Sequence, residues 1–252
     1  MEEKKGHESV RAVERALEIL LAFRPGDESL TVAELLGRVN LSRPTLYRLL
    51  NTLEQAGFLA STGEPQRFHL GSSVAQLAHV WLSEHRIAEL AQPVLRNLWE
   101  ATSETVALFV PDDTYRLCVA ELESHQPLSF RRGVGYREKL VRGASGRTIL
   151  SQMRLTPGEL TRYLVDPTQD VSALIQDIEQ IRLKGFGTSH HELIDGAVAV
   201  AAPFFNGANQ VAGSLCIFGP SVRVTEQRVE QFAELLKRAS VALSRLLGQQ
   251  VS

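Results

Sequence analysis

An α+β fold in two parts is predicted by three observations on this 252-residue chain. Near the N-terminus a short helix, a tight turn, a longer polar-faced helix and a two-stranded hairpin follow one another without interruption. A helix with a wide apolar stripe comes next, and its own part of the chain offers little to bury it against. From Glu104 the apolar pattern changes to strands, then helices, then strands, then a long closing helix. That order suits a mostly antiparallel sheet with helices packed on it. The boundaries read as 1–71 for the first part, 72–86 for the connecting helix and 87–252 for the second part.

In the first part, Val13, Ala16, Leu17, Leu20 and Phe23 mark an opening helix that stops at Pro25-Gly26. Thr31-Val32-Ala33-Glu34 is a capping box, with Thr at the N-cap and Glu three residues later. The short helix behind it buries Val32, Leu35 and Leu36. Four residues, Val39 to Ser42, lead into a second helix with Ser42 as N-cap and Pro44 in its first turn, where a missing N–H costs little. Leu46, Leu49, Leu50 and Leu53 form its buried stripe. Its outer face carries Arg48, Asn51 and Gln55 beside Tyr47 and Thr52, with no acid before Glu54. A narrow helix with outward hydrogen-bonding groups fits the major groove of double-stranded DNA. Downstream, Phe58 and Ala60 share one direction, as do Phe68 and Leu70, which predicts a hairpin with a polar tip at Thr62 to Gln66. Helix-turn-helix followed by a hairpin is a winged helix.

Charge limits what such a head can do. The chain carries a net charge of −2, so it is not a protein that coats nucleic acid non-specifically. Arg38, Arg43, Arg48 and Arg67 nevertheless gather in the reading head, which favours sequence-specific binding by an oligomer. The polar arm Met1 to Glu8 reads as a tail, with Lys4, Lys5 and Arg11 available to touch the DNA backbone or minor groove.

The connecting helix places Val74, Leu77, Ala78, Trp81 and Leu82 on one stripe, which reads as a linker that also dimerises or, alternatively, packs back on the wing. The second part opens with a helix over Ile87 to Thr102. Strands are then expected at Thr105–Val110, Arg116–Leu122 and Pro127–Arg131. A loop of small residues, Arg142 to Arg147, runs into a helix at Thr148 to Met153. Helices at Pro157–Leu164 and Val171–Lys184, strands at Ala197–Phe205 and Gln210–Phe218, and a helix over Thr225 to Leu247 complete the chain.

Other functions are weighed by the same residues. The charged N-terminus is no signal peptide and the apolar runs are too short to span a bilayer, so a cytoplasmic chain with no membrane partner is expected. Cys118 and Cys216 stand far apart, as in a reduced compartment. An enzyme using Cys118 or Cys216 with a histidine base is the alternative. Neither cysteine sits at a helix N-terminus or glycine-flanked turn that would activate a thiolate, and Cys216 lies in the apolar strand VAGSLCIF. A scaffold with a degenerate wing is a third reading. Adjacent His190 and His191 on a strand point to opposite faces and cannot easily share an ion, so neither metal nor cofactor is expected.

The order and spacing of several motifs resemble the isocitrate lyase regulator (IclR) family of bacterial transcription factors. The resemblance rests on VERALEIL at Val13 to Leu20, LSRPTLYRLL at Leu41 to Leu50, ASGRTIL at Ala144 to Leu150, KGFG at Lys184 to Gly187, and AVAAP at Ala199 to Pro203 followed by Ser214 to Pro220. It implies a winged helix-turn-helix joined to a GAF-like α/β effector-binding domain, in a homodimer or dimer of dimers. It further implies a repressor or activator that answers to a small organic acid or similar metabolite, either by leaving operator DNA or by recruiting RNA polymerase. The DNA-binding positions it implies are Ser42, Arg43, Pro44, Thr45, Tyr47 and Arg48; the outer face of the helix adds Asn51 and the wing adds Arg67. Arg48 would reach a guanine or a phosphate, and Arg43 and Arg67 phosphates. The effector-binding positions it implies are Ala144, Ser145, Gly146, His190, Glu192, Val200, Cys216 and Phe218. Ala144 to Gly146 open a helix, whose N–H groups suit an anionic oxygen, although small residues also suit a tight turn. Phe218 stands where relatives that bind very small polar acids have a hydroxyl, and Val200 is apolar, so a larger or aromatic acid is expected.

Overall fold

The computed structural model describes residues 10–24, 26–84, 86–166 and 171–249, with backbone alone for 82–84. The arm Met1 to Glu8, Pro25 and the Leu82 side chain lie outside the described residues. The chain divides into two compact units, Met1–His85 and Arg86–Ser252.

In the first unit, α1 (Arg11–Leu21), α2 (Val32–Arg38) and α3 (Arg43–Gln55) pack on a three-stranded sheet. Its strands are β1 (Leu30–Thr31), β2 (Leu59–Thr62) and β3 (Arg67–Leu70), in the order β1-β3-β2. The expected capping box is formed: the Thr31 hydroxyl accepts from Glu34 N–H, and the Glu34 carboxylate accepts from Thr31 N–H at 2.7 Å. Leu46, Leu50 and Leu53 of α3 are buried with Ile19, Leu35, Leu59 and Phe68, while Leu49 is half-buried. Phe68 and Leu70 share a face as expected, with Ser61 and Leu59 as their register partners. Leu59 is buried in the core, and Phe58, just before β2, packs half-buried against it. On α1 the buried residue is Ile19; Val13, Leu17 and Leu21 form an exposed stripe. The helix α4 (Ser72–Glu84) follows, with Leu77 and Val80 exposed.

The second unit is built on a six-stranded antiparallel sheet in the order β6-β5-β4-β9-β8-β7. The strands are β4 (Thr105–Asp112), β5 (Tyr115–Leu122), β6 (Arg137–Lys139), β7 (Gly187–His190), β8 (Ala197–Phe205) and β9 (Val211–Pro220). One face carries α5 (Ile87–Thr102) and α9 (Glu226–Leu246); the other carries α6 (Gly143–Gln152) and α8 (Val171–Lys184). A short α7 (Pro157–Leu160) with a 3₁₀ turn over Thr161–Tyr163 replaces the single helix expected at Pro157–Leu164. On the α6 face, Ala107, Phe109, Cys118, Ala201, Cys216 and Phe218 meet Ala144, Ile149 and Leu150.

The strand expected at Pro127–Arg131 is not formed; β6 lies at Arg137–Lys139 instead. Pro127 has no N–H for a ladder. Side chains anchor the neighbouring backbone in place of a strand partner: Thr105 donates to Phe130 C=O at 2.7 Å, and Glu121 accepts from Arg132 and Gly133 N–H.

Candidate nucleic-acid interface and ligand cavity

The outer face of α3 begins where the chain turns out of the core. Ser42 stands at the N-cap with extended backbone, and its hydroxyl lies 2.9 Å from that of Thr45 rather than on a backbone N–H. Ser42, Arg43, Pro44, Tyr47, Arg48 and Asn51 are exposed, and Thr45 is half-buried. The stripe Leu46-Leu50-Leu53 fixes this rotation, because side chains three and four apart share one face. Neither Arg43 nor Arg48 makes an ion pair among the described residues, so both guanidinium groups are presented to solvent.

Two other arginines of the expected basic cluster are spent inside the unit. Arg38 pairs with Asp27 and donates to Ala22 C=O at 2.9 Å. The guanidinium holds the Asp27 carboxyl below the usual carboxylate range, chiefly through their hydrogen bond. Arg67, expected on a phosphate, donates to the Ser29 hydroxyl at 2.8 Å and to Ser29 C=O at 3.0 Å, and lies 3.5 Å from Glu34. It braces β3 against the turn before β1, because the pairing Thr31↔Arg67 brings the guanidinium over Ser29. The pairing of β1 with β3 carried no sequence signal that would have revealed this.

On the α6 face of the second unit a small cavity of ≈ 50 Å³ opens between the sheet and the first turn of α6. Of the expected effector positions, Ala144, Ser145, Glu192, Cys216 and Phe218 line it. Three do not. Val200 pairs with Ile217 on the α9 side of β8, one residue out of phase with Ala199, which does line the cavity. His190 follows Ser189 along β7 and turns to a separate hollow with Lys184 and Glu230. Gly146 lies beneath the first turn, where a Cβ would stand 2.4 Å from Leu140 C=O and 2.7 Å from an Arg116 nitrogen. It makes room for Arg116 and does not face the cavity.

Phe109, Arg116, Arg132 and Tyr136 are among the lining residues that were not expected. Arg116 is fully buried and donates to Lys139 C=O at 2.9 Å and Arg142 C=O at 2.8 Å. The Arg132 guanidinium stacks 4.6 Å from the Tyr136 ring centroid. Glu192 is already committed: it accepts from Gly143 N–H at 2.9 Å and pairs with Arg147 at 2.8 Å. The first N–H of α6 therefore has a protein carboxylate on it. Ala144 and Ser145, the next two positions, belong to the turn whose N–H groups lack intrahelical acceptors.

The comparisons with known proteins agree with both halves. The family model described as "Bacterial transcriptional regulator IclR C-terminal" matches residues 79–245, and the one described as "IclR helix-turn-helix domain" matches residues 12–63. The chain belongs to the IclR family of bacterial transcriptional regulators. Among similar proteins is the HTH-type transcriptional regulator BhcR of Paracoccus denitrificans, 28% identical over 244 residues that cover 93% of this chain and 86% of BhcR. KdgR of Escherichia coli, also an HTH-type transcriptional regulator, is 27% identical and is covered to 95%, with 97% of this chain. The crystal structure of Thermotoga maritima IclR has the same fold, with a TM-score of 0.74 at 23% identity over 94% of this chain and 99% of that one.

As an IclR-family member the chain is a DNA-binding, effector-responsive regulator and not an enzyme. The cysteines are consistent with that. Both are buried, and burial pushes the Cys216 thiol up to about 12 and the Cys118 thiol higher still. Neither supplies a thiolate near neutral pH. The described histidines, cysteines and carboxylates form no metal-binding group, and no described helix is long and apolar enough to cross a membrane.

Proposed function

We propose that 1–71 is the operator-reading domain, 72–86 the linker and 87–252 the effector domain. In this reading α3 enters the major groove by its first turns. Arg48 is the main base-reading side chain, with Asn51, Tyr47, Thr45 and Ser42 beside it and Arg43 on a phosphate. The observation that carries this is the pair of uncommitted arginines on an otherwise acid-free face, Arg43 and Arg48, when Arg38 and Arg67 are held internally. An arginine bidentate to guanine is worth about 1–3 kcal/mol of discrimination. Fluorescence anisotropy on DNA selected by the protein, across a salt series, tests it. Arg48→Ala is expected to lose roughly 10–100-fold in preference over scrambled DNA. Equal affinity of both proteins for selected and scrambled DNA would refute the assignment.

The effector belongs in the cavity under α6. Phe109, Phe218, Tyr136, Ala197 and Ala199 make its walls apolar, which supports a carboxylate on an apolar or aromatic body over a two-carbon acid. The linker helix α4 is the covalent path between the units, so the ligand's effect on DNA passes along it. Depending on where the operator lies, that effect is release of DNA or recruitment of RNA polymerase in the cytoplasm.

The active species in this reading is a homodimer or a dimer of such dimers, since two half-sites one helical turn apart need two reading helices. The exposed stripes Val13-Leu17-Leu21 on α1 and Leu77-Val80 on α4 support a second copy as the cover. Sedimentation velocity at micromolar concentration should give at least a dimer, and a Leu17→Lys/Leu77→Lys variant should dissociate. A wild-type monomer at those concentrations would refute the pairing.

A further inference from the structure

Among the described residues, Arg116 is a buried cation without a carboxylate in salt-bridge contact. The residue is 1% exposed, and it extends from β5 into the cavity beneath α6. One terminal nitrogen makes both of its carbonyl bonds, and the buried Nε has no acceptor. No carboxylate pairs with it among the described residues. The molecule treats its other deeply buried charge differently: Glu104 receives Arg223 in two hydrogen bonds. Carbonyl dipoles satisfy N–H groups but do not cancel a full charge, and an unpaired ion in a low-dielectric site is expensive.

The surroundings favour an outside anion. Arg116 lies 5.4 Å from the centroid of Phe109, among Cys216, Phe218 and Tyr136. Glycine at 143 keeps the lid clear, since a Cβ there would stand 3.3 Å from the Arg116 NH2 nitrogen. Arg132 adds a second cation on the same wall, again without an ion pair among the described residues. Glu192, the acid that lines the cavity, is held by Arg147 and Gly143 N–H and does not reach Arg116 with a hydrogen bond. Burial also presses the Arg116 guanidinium toward its neutral form, yet arginine does not give up its proton in proteins, so the imbalance is left to a ligand.

We infer that Arg116 is the counter-charge for the effector, which is a carboxylate on a flat apolar or aromatic body held against Phe109, Tyr136 and Phe218. This rests on the reading of the cavity as the effector site. It moves the anion from the α6 N-terminus, whose first N–H is taken, to a side chain that makes the site selective for charge. A guanidinium–carboxylate pair in a dry site is short and strong, and a neutral isostere cannot replace it.

Matched acids and amides test it: benzoate against benzamide and phenylacetate against phenylacetamide, titrated calorimetrically into the full-length protein. The wild type should bind at least one acid and prefer it to its amide by roughly 10–100-fold, the range for hydrogen bonds to charged groups. Arg116→Gln should lose that preference, and Arg116→Lys should keep part of it. Arg116→Gln also removes two bonds to the turn before α6, so a second measurement uses the wild type alone. The Arg116 Nε–H resonance should move on adding the acid and stay in place with the amide. Equal binding of acid and amide, or unchanged acid affinity in folded Arg116→Gln, would overturn the assignment and leave the cavity as the effector site. If none of the four compounds bound, the counter-charge role would fall, while operator reading would stand or fall on the Arg48 titration.

Discussion

Replacing Arg223 with methionine is expected to destabilise the second unit by about 3–5 kcal/mol, the usual cost of stripping one partner from a buried ion pair. Glu104 ends the turn between α5 and β4, 1% exposed. Its two oxygens accept from Arg223 Nε at 2.7 Å and from a terminal nitrogen at 2.8 Å, a bidentate pairing. Arg223 also donates to Leu128 C=O at 2.8 Å, which fastens the irregular segment over Pro127–Arg131. Arg228 stands 3.9 Å from the same carboxylate, too far to replace two lost hydrogen bonds. In Arg223→Met the carboxylate stays buried and mostly unpaired, and a melting point lower by roughly 10 °C follows for a unit of this size. Glu104→Gln in the same background should recover part of the loss, because the orphaned charge is gone. A loss below about 1 kcal/mol would mean that water already reaches Glu104.

The helices of the first unit were legible because their signals are local. The Thr31–Glu34 box and the leucine spacing of α3 act within a few residues, and both are found where expected. Features defined by distant partners were not legible. β1 is two residues long and exists only because Leu30 meets Phe68. The phase of a strand is also hard to read when both faces are buried: AVAVAAPFF is apolar throughout, so nothing in it marks Ala199 as facing the cavity and Val200 as facing away.

Arg116 was missed for a related reason. An arginine at the start of a strand ordinarily reads as a surface residue. What buries it is the approach of α6 through Gly143 and Gly146, some thirty residues later. Those glycines were noticed, but as a possible ligand cradle and not as space for a side chain. Similarly, Arg38 and Arg67 read as members of one basic cluster because composition counts charge and not the acceptors, here Asp27 and Ser29, that the fold brings to them.

Leu50→Ala and Arg48→Ala, two positions apart on α3, should fail in opposite ways. Leu50 is 1% exposed and sits among Ile19, Leu35 and Leu46. Truncation there should cost about 2–5 kcal/mol, depending on how far the core collapses around the void. For a unit this small the melting point falls by about 8 °C or more on the usual scale of roughly 4–8 °C per kcal/mol. Arg48 is exposed, and alanine is the better helix former, so its replacement should change stability by less than about 0.5 kcal/mol. Operator preference should follow the reverse order. Measured in the cold, where Leu50→Ala is still folded by circular dichroism, the leucine variant should keep most of its preference for selected DNA while the arginine variant has lost it. If folded Leu50→Ala lost preference as completely as Arg48→Ala, the core packing of α3 would set specificity and no single outward side chain would. A retained preference in the leucine variant alone would separate what holds the reading helix from what reads.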